Sequence, residues 1–302
     1  MSHTAFDTTS VDALRRAEAG PEVAGARAAD PRALYLDLLK QCLTRSLFTD
    51  TVMKVEPAWI REALGVDVSD RIEQFLASHR FDVVKRCEYK PDDRAEGRDW
   101  PADAETMVGL RRLDNLQDAV TTVLRDGVPG DLIETGVWRG GCTIFMRAIL
   151  KAWGDAARTV WVADSFQGLP PPDPELFPED AADTLYKESR LAISQEMVRQ
   201  NFAKYGLLDD RVRFLKGWFR DTLPDAPIER LAVMRLDGDM YESTTVALDS
   251  LYPKLSTGGF VIIDDYALHP CRKAVHDFRA RFGIADELIP IDWTGVYWRR
   301  SR

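Results

Sequence analysis

Two patterns of apolar and polar positions divide this chain. From Pro31, the residues Leu34, Leu36, Leu38, Leu39 and Leu43 predict an amphipathic helix that continues to about Phe48. Residues 56–89 carry further helical stretches (AWIREALG, DRIEQFLASH), and a charged stretch follows from Lys90 to Asp99. The segment Glu105 to Leu124 predicts one long amphipathic helix with Leu110, Leu113 and Leu116 facing a core. Ahead of all this, residues 1–30 are rich in Ala, Asp, Thr and Gly and show no sustained period. They are expected to form a disordered arm.

At Gly127 the pattern changes. Short β-branched runs now alternate with helical ones: DLIETGV, a helix from about Cys142 to Trp153, TVWVADSF, a long polar segment, and a helix near 195–205. VRFLKG and LAVMRLDGD come next, then a helix over about 242–254, GFVIIDD, and a helix over 270–282. ELIPI and GVYWRR close the chain around a turn at Asp292–Gly295, as an antiparallel hairpin at one edge. Strands alternating with helices predict an α/β fold with a parallel, doubly wound sheet, carrying an N-terminal helical extension. There is no internal repeat.

Composition narrows the classes. With 45% hydrophobic and 29% charged residues in a chain of 302, a sizeable core is affordable. The balance of 40 basic against 49 acidic residues gives a net charge of −9, which repels phosphate backbones and argues against a nucleic-acid partner. Cys42, Cys87, Cys142 and Cys271 are far apart and form no CxxC pair, so reduced thiols in a cytoplasmic protein are expected. Met1 to Gly20 shows no apolar run after a basic start and the chain has no apolar run of ~18 residues, so neither a signal peptide nor membrane association is expected.

The candidate chemistry stands at the C-terminal ends of the predicted strands, where doubly wound sheets bind ligands. The first strand ends in Glu134, with Gly136, Gly140 and Gly141 behind it. This is a glycine turn spaced GxxxGG rather than the dinucleotide fingerprint GxGxxG. The second ends in Asp164-Ser165, where an acid suits a ribose diol or, alternatively, caps a helix. Two later strands end in Asp237-Gly238-Asp239 and in Asp264-Asp265. Carboxylates this crowded repel one another unless a hard divalent cation such as Mg²⁺ joins them. The alternative is that some of them cap helices while others pair with Arg235, Lys254 or Arg272.

The motifs ETGVWRGG (134–141), VWVADSFQGLP (160–170), RFLKGWFRDTLP (213–224), RLDGDMYEST (235–244) and LYPKLSTGGFVIIDDY (251–266) resemble the TylF/MycF-type sugar O-methyltransferases, the macrocin O-methyltransferase family. The segment 105–117 matches the part of that family preceding the sheet, and the resemblance runs from about Tyr35 to the C-terminus. It implies a class I methyltransferase (Rossmann-like) sheet over 127–302, with 31–126 as a helical segment on the acceptor side. It implies S-adenosylmethionine lined by Glu134, Thr135, Gly136, Trp138 and Gly140. Asp164 and Ser165 would lie at the ribose, Gln167 against the cofactor, Gly217 and Trp218 at the adenine, and Met107 at the wall shared with the acceptor. Asp237, Asp264 and Asp265 would hold Mg²⁺ and Asp239 would take the proton, the roles of Asp237 and Asp239 being exchangeable. His269 is a reserve base, whereas His3, His79 and His276 are not expected at the site.

The acceptor implied is a hydroxyl on a deoxysugar of a small glycoside, and the assembly implied is a homo-oligomer, a dimer or tetramer. The segment 48–99 is longer than in the macrolide enzymes and the 170–190 loop differs, so the acceptor need not be a macrolide. A catechol-type methyltransferase, a nicotinamide oxidoreductase and a non-catalytic binding protein on the same fold are the competing readings.

Overall fold

A computed structural model describes residues 30–48, 51–55 and 70–302. The expected arm and the first half of the 56–89 helical expectation therefore lie outside the described residues, Asp30 apart. The chain enters with helix α1 (Pro31–Leu43), whose N-cap Asp30 accepts from the Arg32 amide. Strand β1 (Thr51–Lys54), helix α2 (Asp70–Ser78) and strand β2 (Val84–Cys87) follow, with β1 and β2 forming a small antiparallel pair. Residues 84–87 were expected in a helix. Val83-Val84 is a β-branched start that favours extended chain, and pairing with β1 fixes it.

A short helix α3 (Pro91–Glu96) lies within the charged stretch, and helix α4 runs from Leu110 to Arg125. The expected helix from Glu105 therefore begins five residues late. Gly109 is extended at φ −80° and ψ 174°, and the Val108 amide donates to Thr106 Oγ1 at 3.2 Å, a local bond that competes with helix. The Glu105 carbonyl accepts instead from the Gly141 amide at 2.9 Å, laying this segment across the ends of the strands.

The main sheet contains β3 (Asp131–Thr135), β4 (Val160–Asp164), β5 (Val212–Lys216), β6 (Leu231–Leu236), β7 (Leu255–Ile263), β8 (Ile289–Pro290) and β9 (Val296–Arg299). Its order is β5-β4-β3-β6-β7-β9-β8. The first five are parallel; β9 runs antiparallel between β7 and the edge strand β8. Helices α5 (Gly141–Ala152), α6 (Gln195–Lys204), α7 (Phe219–Thr222), α8 (Tyr241–Leu251) and α9 (His269–Phe282) complete the fold. The period of two along the strands sorts side chains to opposite faces. Leu132, Val160, Val162, Val233 and Ile262 pack with α1, α4, α5 and α6, whereas Ile133, Trp161, Met234, Val261 and Ile263 pack with α8 and α9. Strand order reverses between β3 and β6, which opens the crevice expected of a doubly wound sheet. Among the described residues no helix is long and apolar enough to cross a membrane.

Candidate active site

The crevice is a cavity of about 310 Å³ above the ends of β3, β4, β6 and β7. Gly136 sets its floor. With φ +79°, it brings β3 so close to β6 that an added Cβ would sit 1.6 Å from the Asp237 carbonyl oxygen, so no side chain fits. Gly140 then caps α5 in the left-handed conformation. Trp138 lines the cavity at φ 47°, and its Nε1 donates to the Arg190 carbonyl at 2.9 Å, tying the glycine turn to the loop after β4.

Asp164 is not a helix cap. Its Oδ2 accepts from the Val137 amide at 2.8 Å and its Oδ1 from the Phe166 amide at 2.7 Å, so it joins the two loops that form this wall. Burial raises its pKa against the pull of these amides. Ser165 donates to the Gly168 carbonyl at 2.7 Å and accepts from the Gln167 amide at 2.9 Å. Met107, Glu134 and Trp218 also reach the wall. Thr135, Gly140, Gln167 and Gly217 do not: Thr135 is fully buried beneath the turn, Gln167 faces outward, and Gly140 and Gly217 shape turns.

The acids divide into two groups. Asp237, Asp239 and Asp265 each present a carboxylate oxygen within 4.8 Å of the others. Burial and the neighbouring charges raise all three pKa values: Asp237 to about 6, Asp239 to about 8, and Asp265 well above the usual range. Asp239 sits at φ 58° and donates its amide to Asp265 Oδ2 at 3.0 Å, which aims both side chains into the same space.

Asp264, expected with Asp237 and Asp265, turns the other way. Its two oxygens accept from Arg235 and Arg112, all three side chains being buried. Arg235 also holds Glu134, and Asp237 at 2.9 Å; Arg112 also faces Asp292 at 2.9 Å. Burial pushes the Glu134 carboxyl up to about 8 despite this contact. Opposite charges thus offset much of the cost of burying each other beneath the site. Of the three cations expected as partners, only Arg235 serves; Lys254 and Arg272 donate to the carbonyls of Ala226 and Ala267. His269 does not line the cavity, and His276 bonds Tyr266 on the surface.

Sequence reasoning missed Arg112, Arg220 and Glu242 on this wall. Arg112 was legible: it lies one turn before Leu116 on the same face of α4, a buried stripe that an arginine enters only with partners.

The chain matches the macrocin-O-methyltransferase (TylF) family over residues 32–300. It is 54% identical over 273 residues to the 8-demethyl-8-(2,3-dimethoxy-alpha-L-rhamnosyl)-tetracenomycin-C 4'-O-methyltransferase of Streptomyces olivaceus, covering 90% of this chain and 94% of that one. It is 48% identical over 271 residues to the mycinamicin III 3''-O-methyltransferase of Micromonospora griseorubida, covering 89% and 96%. The solved structure of the O-methyltransferase NovP superposes with a TM-score of 0.76 at 47% identity, covering 90% of this chain and all of that one. With the doubly wound sheet and the acidic crevice at its switch point, this match over nearly the whole described chain means that the protein belongs to the macrocin-O-methyltransferase family and is an O-methyltransferase of the class I fold.

Proposed function

We propose that the protein methylates a sugar hydroxyl of an antibiotic-type glycoside, using S-adenosylmethionine and Mg²⁺. The observation carrying this reading is the convergence of three carboxylates beside the glycine turn, within one cavity. The relatives support it, since their names describe methylation of such glycosides.

The residues suit both groups. Gly136 and Trp138 leave backbone and an indole facing the cavity, and Glu134 Oε2 is buried without a hydrogen-bond partner. Asp164 accepts from loop amides at both oxygens, with Ser165 Oγ also 3.5 Å from Oδ1, and it lines the cavity where a ribose diol would sit. Held there by Gly136, Trp138 and Asp164, S-adenosylmethionine would supply an electrophilic methyl group whose sulfonium leaving group is a neutral thioether. Asp237 and Asp265 are the assigned holders of Mg²⁺, with Asp264 behind them keeping Arg235 and Arg112 neutralised. Bound there, the cation would offset the mutual repulsion of the carboxylates and acidify an acceptor hydroxyl.

Asp239 then accepts the proton of the acceptor hydroxyl as its oxygen bonds to the methyl carbon. Its carboxylate lies within 4.8 Å of Asp237 and Asp265, which puts it beside the proposed cation and the hydroxyl that cation would orient. Arg235 fixes Glu134 and Asp237 in place, so the floor does not rearrange during the step. Trp100, Thr106, Met107 and Val108, from the segment before the sheet, line the cavity as its acceptor-side cover.

Isothermal titration with S-adenosylmethionine and S-adenosylhomocysteine, with and without Mg²⁺, tests the reading. Micromolar binding, about −8 kcal/mol, is expected, with loss in Asp164→Ala. Mass-spectrometric gain of one methyl on rhamnosylated acceptors, abolished by chelation and by Asp239→Asn, completes the test. No cofactor binding under any metal condition would overturn it.

A further inference from the structure

We propose that Glu242 recognises the exocyclic amine of the cofactor's adenine ring, an assignment resting on the S-adenosylmethionine reading above. Glu242 occupies the first turn of α8 and lines the cavity, with 6% of its side chain exposed. Its Oε1 accepts from Arg220 Nη1 at 3.1 Å. Its Oε2 is buried and has no partner. A carboxylate oxygen withdrawn from water without a donor is costly, and native chains keep one only where a ligand or an ordered group completes it.

The neighbours indicate what that donor belongs to. Trp218, Phe219 and Val246 line the cavity beside Glu242, giving flat apolar surface next to a lone acceptor. The Phe219 ring lies close to Gly238 and Ser243, where a Cβ added at Gly238 would stand 3.3 Å from it and 3.0 Å from the Ser243 Cβ. A purine suits this arrangement: its faces take apolar and aromatic contacts, and its edge carries an amine that donates. Arg220, already bonded to Oε1, supplies donors of the opposite kind for the ring nitrogens. A sugar hydroxyl also donates, but it would leave the indole and phenyl surfaces covered by nothing flat. Asp237, Asp239 and Asp265 already provide acceptors for the reacting hydroxyls.

Titration of wild type and Glu242→Gln with S-adenosylhomocysteine and S-inosylhomocysteine, in which a carbonyl replaces the amine, tests the assignment. Wild type is expected to bind S-adenosylhomocysteine at least about tenfold more tightly, because in the inosyl ligand a carbonyl meets the Oε2 acceptor where the amine stood and the remaining edge donor lies at ring N1. In Glu242→Gln the side-chain amide can donate to the carbonyl, so the preference narrows or inverts. The ratio is taken within one protein, so a partly unfolded variant does not imitate the effect. Wild type binding both ligands equally, or Glu242→Gln keeping the full preference, overturns the Glu242 assignment while leaving the cofactor reading intact. A rise confined to the acceptor KM in Glu242→Gln also overturns it, placing the donor on the acceptor. Wild type binding neither ligand overturns both readings together.

Discussion

Arg235, the penultimate residue of a strand buried along its whole length, grips Asp264 just past the end of the adjacent strand and holds it away from the acidic cluster. Asp264 is therefore the anion that neutralises two buried guanidinium groups, those of Arg235 and Arg112. Asp264→Ala is expected to cost roughly 3–5 kcal/mol, since it leaves buried charge uncompensated. Asp265→Asn removes one charge from a self-repelling cluster, so it should leave the stability of the chelated protein equal or higher while methyl transfer falls. Urea unfolding of both variants checks the contrast; the reverse order of stabilities would reverse their assignments.

The same crowding gives a pH dependence with a definite sign. Asp237 (about 6), Asp239 (about 8) and Glu134 (about 8) hold protons more tightly in the folded chain than an unfolded carboxylate of about 4. The folded state therefore binds more protons. Without cation, their contribution to stability is full below about pH 4 and is lost as pH rises through 6 and 8. A divalent cation held by the ionised cluster, as proposed, would restore stability where protons have left. The rise in Tm on adding Mg²⁺ should be near zero at pH 5 and should grow toward pH 8. About 2 °C accompanies each kcal/mol at this chain length. A rise of equal size at both pH values would show that the cation acts elsewhere.

Much of this architecture was legible in the sequence because it follows from local rules. The runs DLIETGV, VWVAD and VIIDD each end an apolar strand in acid, and the alternation of strands and helices placed those acids at one edge of one sheet. The direction in which each acid points was not legible. Asp264 and Asp265 are neighbours on β7's exit, yet one turns toward Arg235 and Arg112 and the other toward Asp239. That choice is made by Arg235 together with an arginine 152 residues away in sequence, which no local pattern reports. The β1–β2 pair escaped for a similar reason: four-residue strands have little period, and the pairing joins segments separated by a helix.

Gly136 should tolerate no replacement. In Gly136→Ala the added carbon would overlap the Asp237 carbonyl and sit on a backbone at φ +79°. Separating β3 from β6 is expected to cost roughly 3 kcal/mol or more and to abolish S-adenosylhomocysteine binding. Gly127→Ala is the control: at φ +64° with nothing within 4 Å of an added Cβ, it meets only the left-handed penalty of about 1 kcal/mol. Thermal unfolding and ligand titration of the pair separate close approach from backbone strain. Equal losses in the two would show that strain alone matters.

The loop between β4 and α6 is pinned from a distance by Asp180. Only 1% exposed, it accepts from the Tyr241 amide at 2.7 Å and from the Glu242 amide at 3.0 Å, capping α8 from another part of the chain. A carboxylate there satisfies two of the unpaired amides of the helix and complements its dipole. Asp180→Ala should cost about 1–2 kcal/mol as a lost cap. Its larger effect should be on the loop, which then keeps the bond from Trp138 Nε1 to the Arg190 carbonyl but loses its hold on α8. Limited tryptic cleavage after Lys187 and Arg190 is expected to accelerate, and the KM for the acceptor to rise, while S-adenosylhomocysteine affinity stays within about twofold. Asp180→Asn keeps one acceptor and should fall between the two. If proteolysis were unchanged while cofactor affinity dropped, Asp180 would act through the Glu242 end of α8 and not through the loop.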